Sequence, residues 1–341
     1  MRCAVIGCGF FAQNHLNGWR DLARDGVELA AVCDIDPKKA EEAAETFGVP
    51  RHYSDAADLL AKERVDFVDI VTRMDSHLPI VKLAAARRVD IILQKPIAPE
   101  WREACEVVNI AREAGVRLAI HENFRFQAPM RKLKAVVDSG AIGKPTWARI
   151  AFRTGYDIYK VQPYLHQAER FAILDVGIHM LDLARFFLGD VERVSCETQR
   201  RNPENVGEDT ATVLLRHRSG GVSVVECTME ARIDPDPFPE TLIAIEGAQG
   251  SAAIGPGLAG RVKTGSEVRA VDFSSPLLSW TEQPWHTVQE SVLRTQEAII
   301  GAWRAGAAPE TEAADNLKTY ALVEAAYEAA RLGRAVVPAL N

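Results

Sequence analysis

Residues 2–12 read Arg2-Cys3-Ala4-Val5-Ile6-Gly7-Cys8-Gly9-Phe10-Phe11-Ala12. A short apolar run meets a G-x-G-x-x-A turn, and a helical pattern starts directly after it, over residues 11–24. Such a glycine turn carries meaning only between a strand and a helix, which is where it stands. Gly7 permits the tight turn, Gly9 lets a pyrophosphate approach the backbone, and Ala12 lets helix and strand pack closely. The helix start then presents free N–H groups and a positive dipole end to a phosphate. The same run could pass for a signal peptide, but two glycines interrupt it and it fits a first strand better.

Outward from this turn, two periodicities alternate. Apolar runs recur at 29–33, 65–72, 91–94 and 117–120, with helical patterns at 37–47, 76–88 and 100–114 between them. The runs are continuous rather than alternating in polarity, as burial on both sheet faces requires. Repeated strand–helix units with right-handed crossovers predict an α/β, doubly wound parallel sheet over residues 1–122. The second strand ends at Asp34, whose carboxylate suits an adenine-ribose diol. It would oppose a 2′-phosphate by ~4 kcal/mol at an effective dielectric of ~20, which favours NAD over NADP.

Beyond residue 122 the pattern changes. Helices are expected at 129–139 and 174–188, strands at 146–153, 191–199, 210–217, 222–229 and 241–246, and two closing helices at 287–304 and 313–331. Strand following strand predicts an α+β domain over 123–341 with a large mixed or antiparallel open sheet.

Candidate chemistry lies at two places. Gln94-Lys95-Pro96 closes a strand, at the carboxyl edge where doubly wound sheets bind ligands. Pro96 holds Lys95 in extended geometry. Asp175, His179 and Asp182 fall at i, i+4 and i+7, one face of a helix at 3.6 residues per turn. A polar stripe on an apolar helix needs a partner or a site. Gly177 within it indicates a close approach by some other group. Removing a hydride from a carbinol also requires taking its proton, and an imidazole suits that near neutrality. Asp175 would orient His179, while Lys95 would hold the substrate oxygen or accept the proton itself.

Together these motifs resemble the Gfo/Idh/MocA family of oxidoreductases, along essentially the whole chain. The 7–12 turn resembles the family's nucleotide motif, Lys95-Pro96 its E-K-P signature, and Asp175…His179 its D-x-G-x-H signature. The Thr72…His77 segment resembles its loop beside the cofactor. The resemblance implies a Rossmann domain and NAD(P) oxidation of a sugar or polyol hydroxyl, with Lys95, Asp175 and His179 as the catalytic trio. It implies cofactor contacts from Gly7, Gly9, Phe10, Phe11, Ala12, Asp34, Thr72, His77, Gln94 and Lys95. It also implies a homodimer or homotetramer built through the C-terminal sheet. Three places depart from the family pattern: Gln94 replaces an acidic residue, Arg73 a proline, and Arg170-Phe171-Ala172 a glycine-containing stretch. A narrower set, Q-K-P at 94–96, H-E-N-F-R-F-Q at 121–127, Q-P-Y-L at 162–165 and P-W-H-x-V-Q-E-S at 284–291, is similar to the D-apiose-oxidising branch. That likeness implies oxidation of a branched pentose at its anomeric carbon to a lactone. The same minimal parts also occur in NAD-dependent glycoside hydrolases of this fold, and a sugar- and dinucleotide-binding sensor would share the fold.

Candidate substrate residues are Asn123 and Arg125 after the sixth strand, with Tyr156, Asp157, Tyr164 and His179. Asn123 and Arg125 suit sugar hydroxyls, or equally a surface carboxylate. Trp285 reads as packing before ligand. No metal is expected, since Asp175 and His179 have no clear third ligand. With 40 basic against 47 acidic residues the net charge is −7, which disfavours nucleic acid and anionic membrane as partners. Six cysteines without a CxxC pair predict reduced thiols in a cytoplasmic protein.

Overall fold

Cys3, Ala4 and Val5 are fully buried in the first strand, β1 (Arg2–Ile6), as a strand covered on both faces must be. A computed structural model describes residues 1–339. After β1 come α1 (Ala12–Asp21), β2 (Glu28–Cys33), α2 (Pro37–Phe47), β3 (His52–Tyr53), α3 (Ala56–Lys62), β4 (Phe67–Ile70), α4 (His77–Ala86), β5 (Asp90–Gln94), α5 (Trp101–Ala114) and β6 (Leu118–His121). All six strands are parallel, in the order β3-β2-β1-β4-β5-β6, a doubly wound Rossmann sheet. Periodicity does not announce β3 and α3. A two-residue strand has no period to read, and α3 is barely two turns long. Asp36 caps α2 by accepting Lys38 N–H at 3.1 Å, and Pro37 follows at the first helical position.

Then follow α6 (Ala128–Asp138), β7 (Pro145–Arg153), α7 (Ile178–Leu188), β8 (Val191–Gln199), β9 (Thr210–His217), β10 (Val222–Thr228), β11 (Leu242–Gly247), β12 (Gly250–Ile254), β13 (Ala259–Thr264) and β14 (Glu267–Asp272). Eight of these elements form one sheet in the order β14-β13-β12-β11-β7-β10-β9-β8. The β7–β10 pair is parallel and its other neighbours are antiparallel, so the sheet is mixed, as expected. The buried helix α7 packs on β7 and β10.

Two helices close the described chain, α8 (His286–Arg304) and α9 (Ala313–Leu332). The chain forms two units. One holds Met1–Asn123 with Ser291–Leu317, the other Phe124–Glu290 with the chain from Lys318 onward. The stretch from Ser291 joins the first unit through buried contacts. Thr311 accepts the Ile120 N–H at 2.8 Å, Arg117 Nη1 donates to Trp303 O at 3.1 Å, and Trp303 packs edge-on against Phe67.

Candidate active site

In the first unit the glycine turn is pinned from three sides. Gly7 N–H donates to Cys33 O at 2.7 Å. Gly7 itself has φ +103°, and a Cβ there would sit 2.4 Å from the Val71 carbonyl oxygen, so no other residue fits. Asp34 accepts Cys8 N–H at 2.8 Å with one carboxylate oxygen and Asp36 N–H at 2.9 Å with the other. Packing within the chain does not demand a glycine at 9, since a Cβ there would meet nothing within 4 Å. That open backbone, at the start of α1 and beside the Asp34 carboxylate, fits a dinucleotide: the turn would take the pyrophosphate and Asp34 the ribose. Ala12 is buried against the sheet, while Phe10 is 63% exposed.

Thr72 follows β4, and its Oγ1 accepts from Ser76 Oγ at 2.7 Å. Two side chains expected at the cofactor are engaged within the unit. His77 is 0% exposed, with Nδ1 3.0 Å from Ile97 O and Nε2 3.2 Å from Thr72 O. Burial pushes its pKa below the ordinary histidine value. With its two ring nitrogens beside the Ile97 and Thr72 carbonyls, His77 ties two edge loops together. The Gln94 carboxamide is likewise turned inward, accepting Lys95 N–H at 2.7 Å and lying 3.3 Å from His15 Nε2. Lys95 follows, half-buried, with a cis bond to Pro96. It stands at the carboxyl edge of β5, as the sequence places it.

The second unit carries Asp175 and His179. The helix expected over 174–188 is not uniform. Ile173–Gly177 forms a π turn and only Ile178–Leu188 is α-helical. The step from Asp175 to His179 crosses this wider turn, so the 3.6-residue count does not carry through it; such bulges are frequent at functional sites. Gly177 meets the close approach it signals within its own unit, since a Cβ there would lie 3.0 Å from Ala172 O and 3.2 Å from Cys227 Sγ. His179 is 3% exposed and stacks on Phe124, with ring centroids 3.9 Å apart and planes at 10°.

Asp182 belongs to a different arrangement. It is fully buried, and it accepts Arg125 Nε at 2.7 Å and Thr319 Oγ1 at 3.0 Å. Arg125 is 6% exposed, so the carboxylate it meets is interior, not on the surface, and its guanidinium is a support of α7. Asn123 is also buried, at 2% exposed, and donates to Ser291 Oγ at 2.7 Å.

Tyr156 and Asp157 line a cavity of about 500 Å³ in the second unit. Its other walls include His166, which the sequence groups with Tyr156, Asp157 and Tyr164 as suited to a carbohydrate, and Tyr159, Asn202, Glu204 and Glu230, which it does not assign to a site. These groups are cross-linked. Tyr159 OH donates to Glu230 at 3.0 Å and accepts from Asn205 Nδ2 at 2.7 Å, and His166 stacks on Tyr159 at 4.0 Å. Burial pushes the Tyr159 hydroxyl up, so it stays a neutral donor. Tyr156 stacks on Phe238 at 3.9 Å, with Trp285 edge-on to both, the packing role expected of Trp285. Tyr164 is 49% exposed and outside the cavity lining. The Tyr-rich loop 155–166 signals this region in the sequence, but nothing there names Asn202, Glu204 or Glu230, which come from outside the loop.

Among the described residues, no group of three His, Cys, Asp or Glu side chains is placed to hold a metal ion, and no helix is long and apolar enough to cross a membrane. The six cysteines are free, and Cys8 and Cys33 are pushed up to about 12 by burial.

Residues 1–122 match the family model for the NAD-binding Rossmann fold of the Gfo/Idh/MocA oxidoreductases, and residues 130–253 match that family's C-terminal domain. D-apiose dehydrogenase from Rhizobium rhizogenes is 46% identical over 98% of this chain and 97% of its own length. D-apiose dehydrogenase from Paraburkholderia graminis is 44% identical over 98% of this chain and 88% of its own. The crystal structure of an oxidoreductase from Agrobacterium radiobacter in complex with NAD+, L-tartaric acid and magnesium superposes with a TM-score of 0.96, at 46% identity, covering 99% of this chain and 98% of that one. Relatives named as dehydrogenases do not favour the hydrolase or sensor readings. Both units are thus accounted for: the chain belongs to the Gfo/Idh/MocA family and is an NAD-dependent dehydrogenase.

Proposed function

We propose that this dehydrogenase oxidises the anomeric CH–OH of D-apiose to the lactone. The observation that carries the reading is identity of 46% and 44%, across almost the entire chain, to two enzymes named for that sugar. Bound NAD supplies the hydride acceptor. The carbinol carbon loses its hydrogen with the electron pair, its oxygen loses a proton, and a carbonyl forms. Lys95 holds the oxygen and stabilises its developing negative charge. His179 takes the proton, its ring held flat by Phe124. Asp175 orients the imidazole. Tyr156 and Asp157 contribute an aromatic face and a short acceptor, both suited to a sugar.

The test follows NADH formation over a panel of pentoses, hexoses and inositols. D-Apiose should give the highest kcat/KM; another sugar turning over faster overturns the substrate, and silence with every sugar overturns the redox role.

The assembly and location belong to the same reading. A cytoplasmic homodimer or homotetramer would pair the outer face of the eight-stranded sheet. On β9 buried and exposed residues alternate, leaving Leu214 48% exposed on that face. Light scattering of the wild type and of Leu214→Glu tests it: a mass that is monomeric in both overturns the interface.

A further inference from the structure

Beneath Gln94 runs a buried polar chain that none of the chemistry above uses. His15 on α1, Asp69 on β4 and His121 on β6 are each 0% exposed, and Gln94 is 7% exposed. The hydrogens between Lys95 and Asp69 follow from the contacts they make. Lys95 N–H must donate, so the Gln94 atom it meets at 2.7 Å is the carboxamide oxygen. The amide NH2 then faces His15 Nε2 at 3.3 Å. An amide nitrogen cannot accept, so Nε2 does. The single proton of the neutral ring sits on Nδ1 and goes to Asp69 Oδ2 at 2.8 Å, the oxygen that also takes Trp19 Nε1–H at 2.6 Å.

Three further contacts of His15 are uncharged. His121 lies 4.1 Å away, centroid to centroid, and burial pushes it down to about 3, so it is neutral. Phe11 packs edge-on at 5.6 Å, and Gln296 of α8 donates to the His15 backbone oxygen at 3.1 Å.

We infer that His15, as its Nδ1–H tautomer, is a positioning residue that locks the Gln94 carboxamide and, through it, the backbone from which the Lys95 side chain springs. The inference rests on the role proposed for Lys95. It also gives a reason for an amide at position 94. A carboxylate there has no proton for Nε2 and would require a fully protonated His15 between two anions.

Isotope-labelled histidine in the full-length protein reads the tautomer by NMR, with His15 assigned from its absence in His15→Gln. The spectrum should show a protonated Nδ1 and a bare Nε2 on His15. A proton on Nε2 overturns the assignment. In Gln94→Glu a proton should appear on Nε2 to meet the carboxylate, and an unchanged spectrum there also overturns it.

Kinetics read the positioning. His15→Gln returns an acceptor near Nε2, whereas His15→Asn keeps only the donor near Nδ1. His15→Asn should lower kcat about tenfold, the scale of one lost hydrogen bond, while His15→Gln stays within about threefold of wild type. KM for NAD should be equal in the two. Equal kcat losses, or losses that follow thermal stability, overturn the positioning role. The spectrum needs no turnover, so activity surviving in Lys95→Met would sink the catalytic reading separately from the tautomer.

Discussion

Asp34 accepts the backbone N–H of Cys8 at 2.8 Å, so the carboxylate expected to read a ribose also anchors the glycine turn that would hold the pyrophosphate. Specificity and turn geometry would then share one side chain. Asp34→Ala should weaken NAD binding and also narrow its preference over NADP. Asp34→Asn, which keeps an acceptor for Cys8 and removes the charge, should narrow the preference with a smaller loss of affinity. Fluorescence titration with both dinucleotides checks this, and an unchanged preference ratio in both variants would show that the carboxylate does not read the ribose.

Lys95→Met removes the ammonium and keeps much of the side-chain bulk. Its kcat should fall by about 10²- to 10⁴-fold, the range of a positioned proton-transfer or charge-stabilising group. The Kd for NAD, measured by calorimetry, should stay within about twofold, because the phosphate turn is untouched.

His179→Asn should lower kcat on a similar scale while the fold persists, since Phe124 still has Phe152 at 6.4 Å beside it. Steady-state kinetics and circular dichroism check the two halves of that statement. Full activity in the variant would move the base to another residue.

Arg125 and Asp182 form a buried, bidentate pair beneath α7. Arg125→Met leaves a fully buried carboxylate without its cation, and should cost about 3–5 kcal/mol in chemical denaturation. The double variant Arg125→Met/Asp182→Leu should recover much of that loss, because the uncompensated charge is gone. An exposed ligand-binding arginine would show a changed KM and little loss of stability instead.

His121 gives the fold an acid-sensitive element. Folded, it stays neutral down to about 3, because burial disfavours its cation, whereas the unfolded chain binds that proton below ~6.5. Stability from this residue is complete above ~6.5 and falls with acid by up to about 1.4 kcal/mol per pH unit. His77, also pushed down by burial, acts with the same sign. The midpoint of thermal unfolding of His121→Asn should therefore fall less between about pH 7 and 5 than that of wild type. Parallel curves would show that His121 ionises in the folded state.

Much of this protein is legible in its chain. Continuous apolar strands, a glycine turn between strand and helix, and a lysine at a strand's carboxyl end are local patterns, governed by periodicity and backbone freedom over a few residues. They specify the parallel sheet, the cofactor turn and the positions of Lys95 and His179. Only the tertiary structure decided what the other polar side chains do. Arg125 and Asn123 look like ligand donors until folding buries them against Asp182 and Ser291. Asp69, a lone carboxylate inside a strand buried on both faces, hints at a partner, but nothing in its neighbourhood names His15, which lies on α1. The π turn at Ile173–Gly177 is equally hidden, since one extra residue in a helical turn leaves the apolar pattern almost unchanged. Polar pairing and helix irregularity depend on which groups lose their water together, and that is settled by packing between segments distant in sequence.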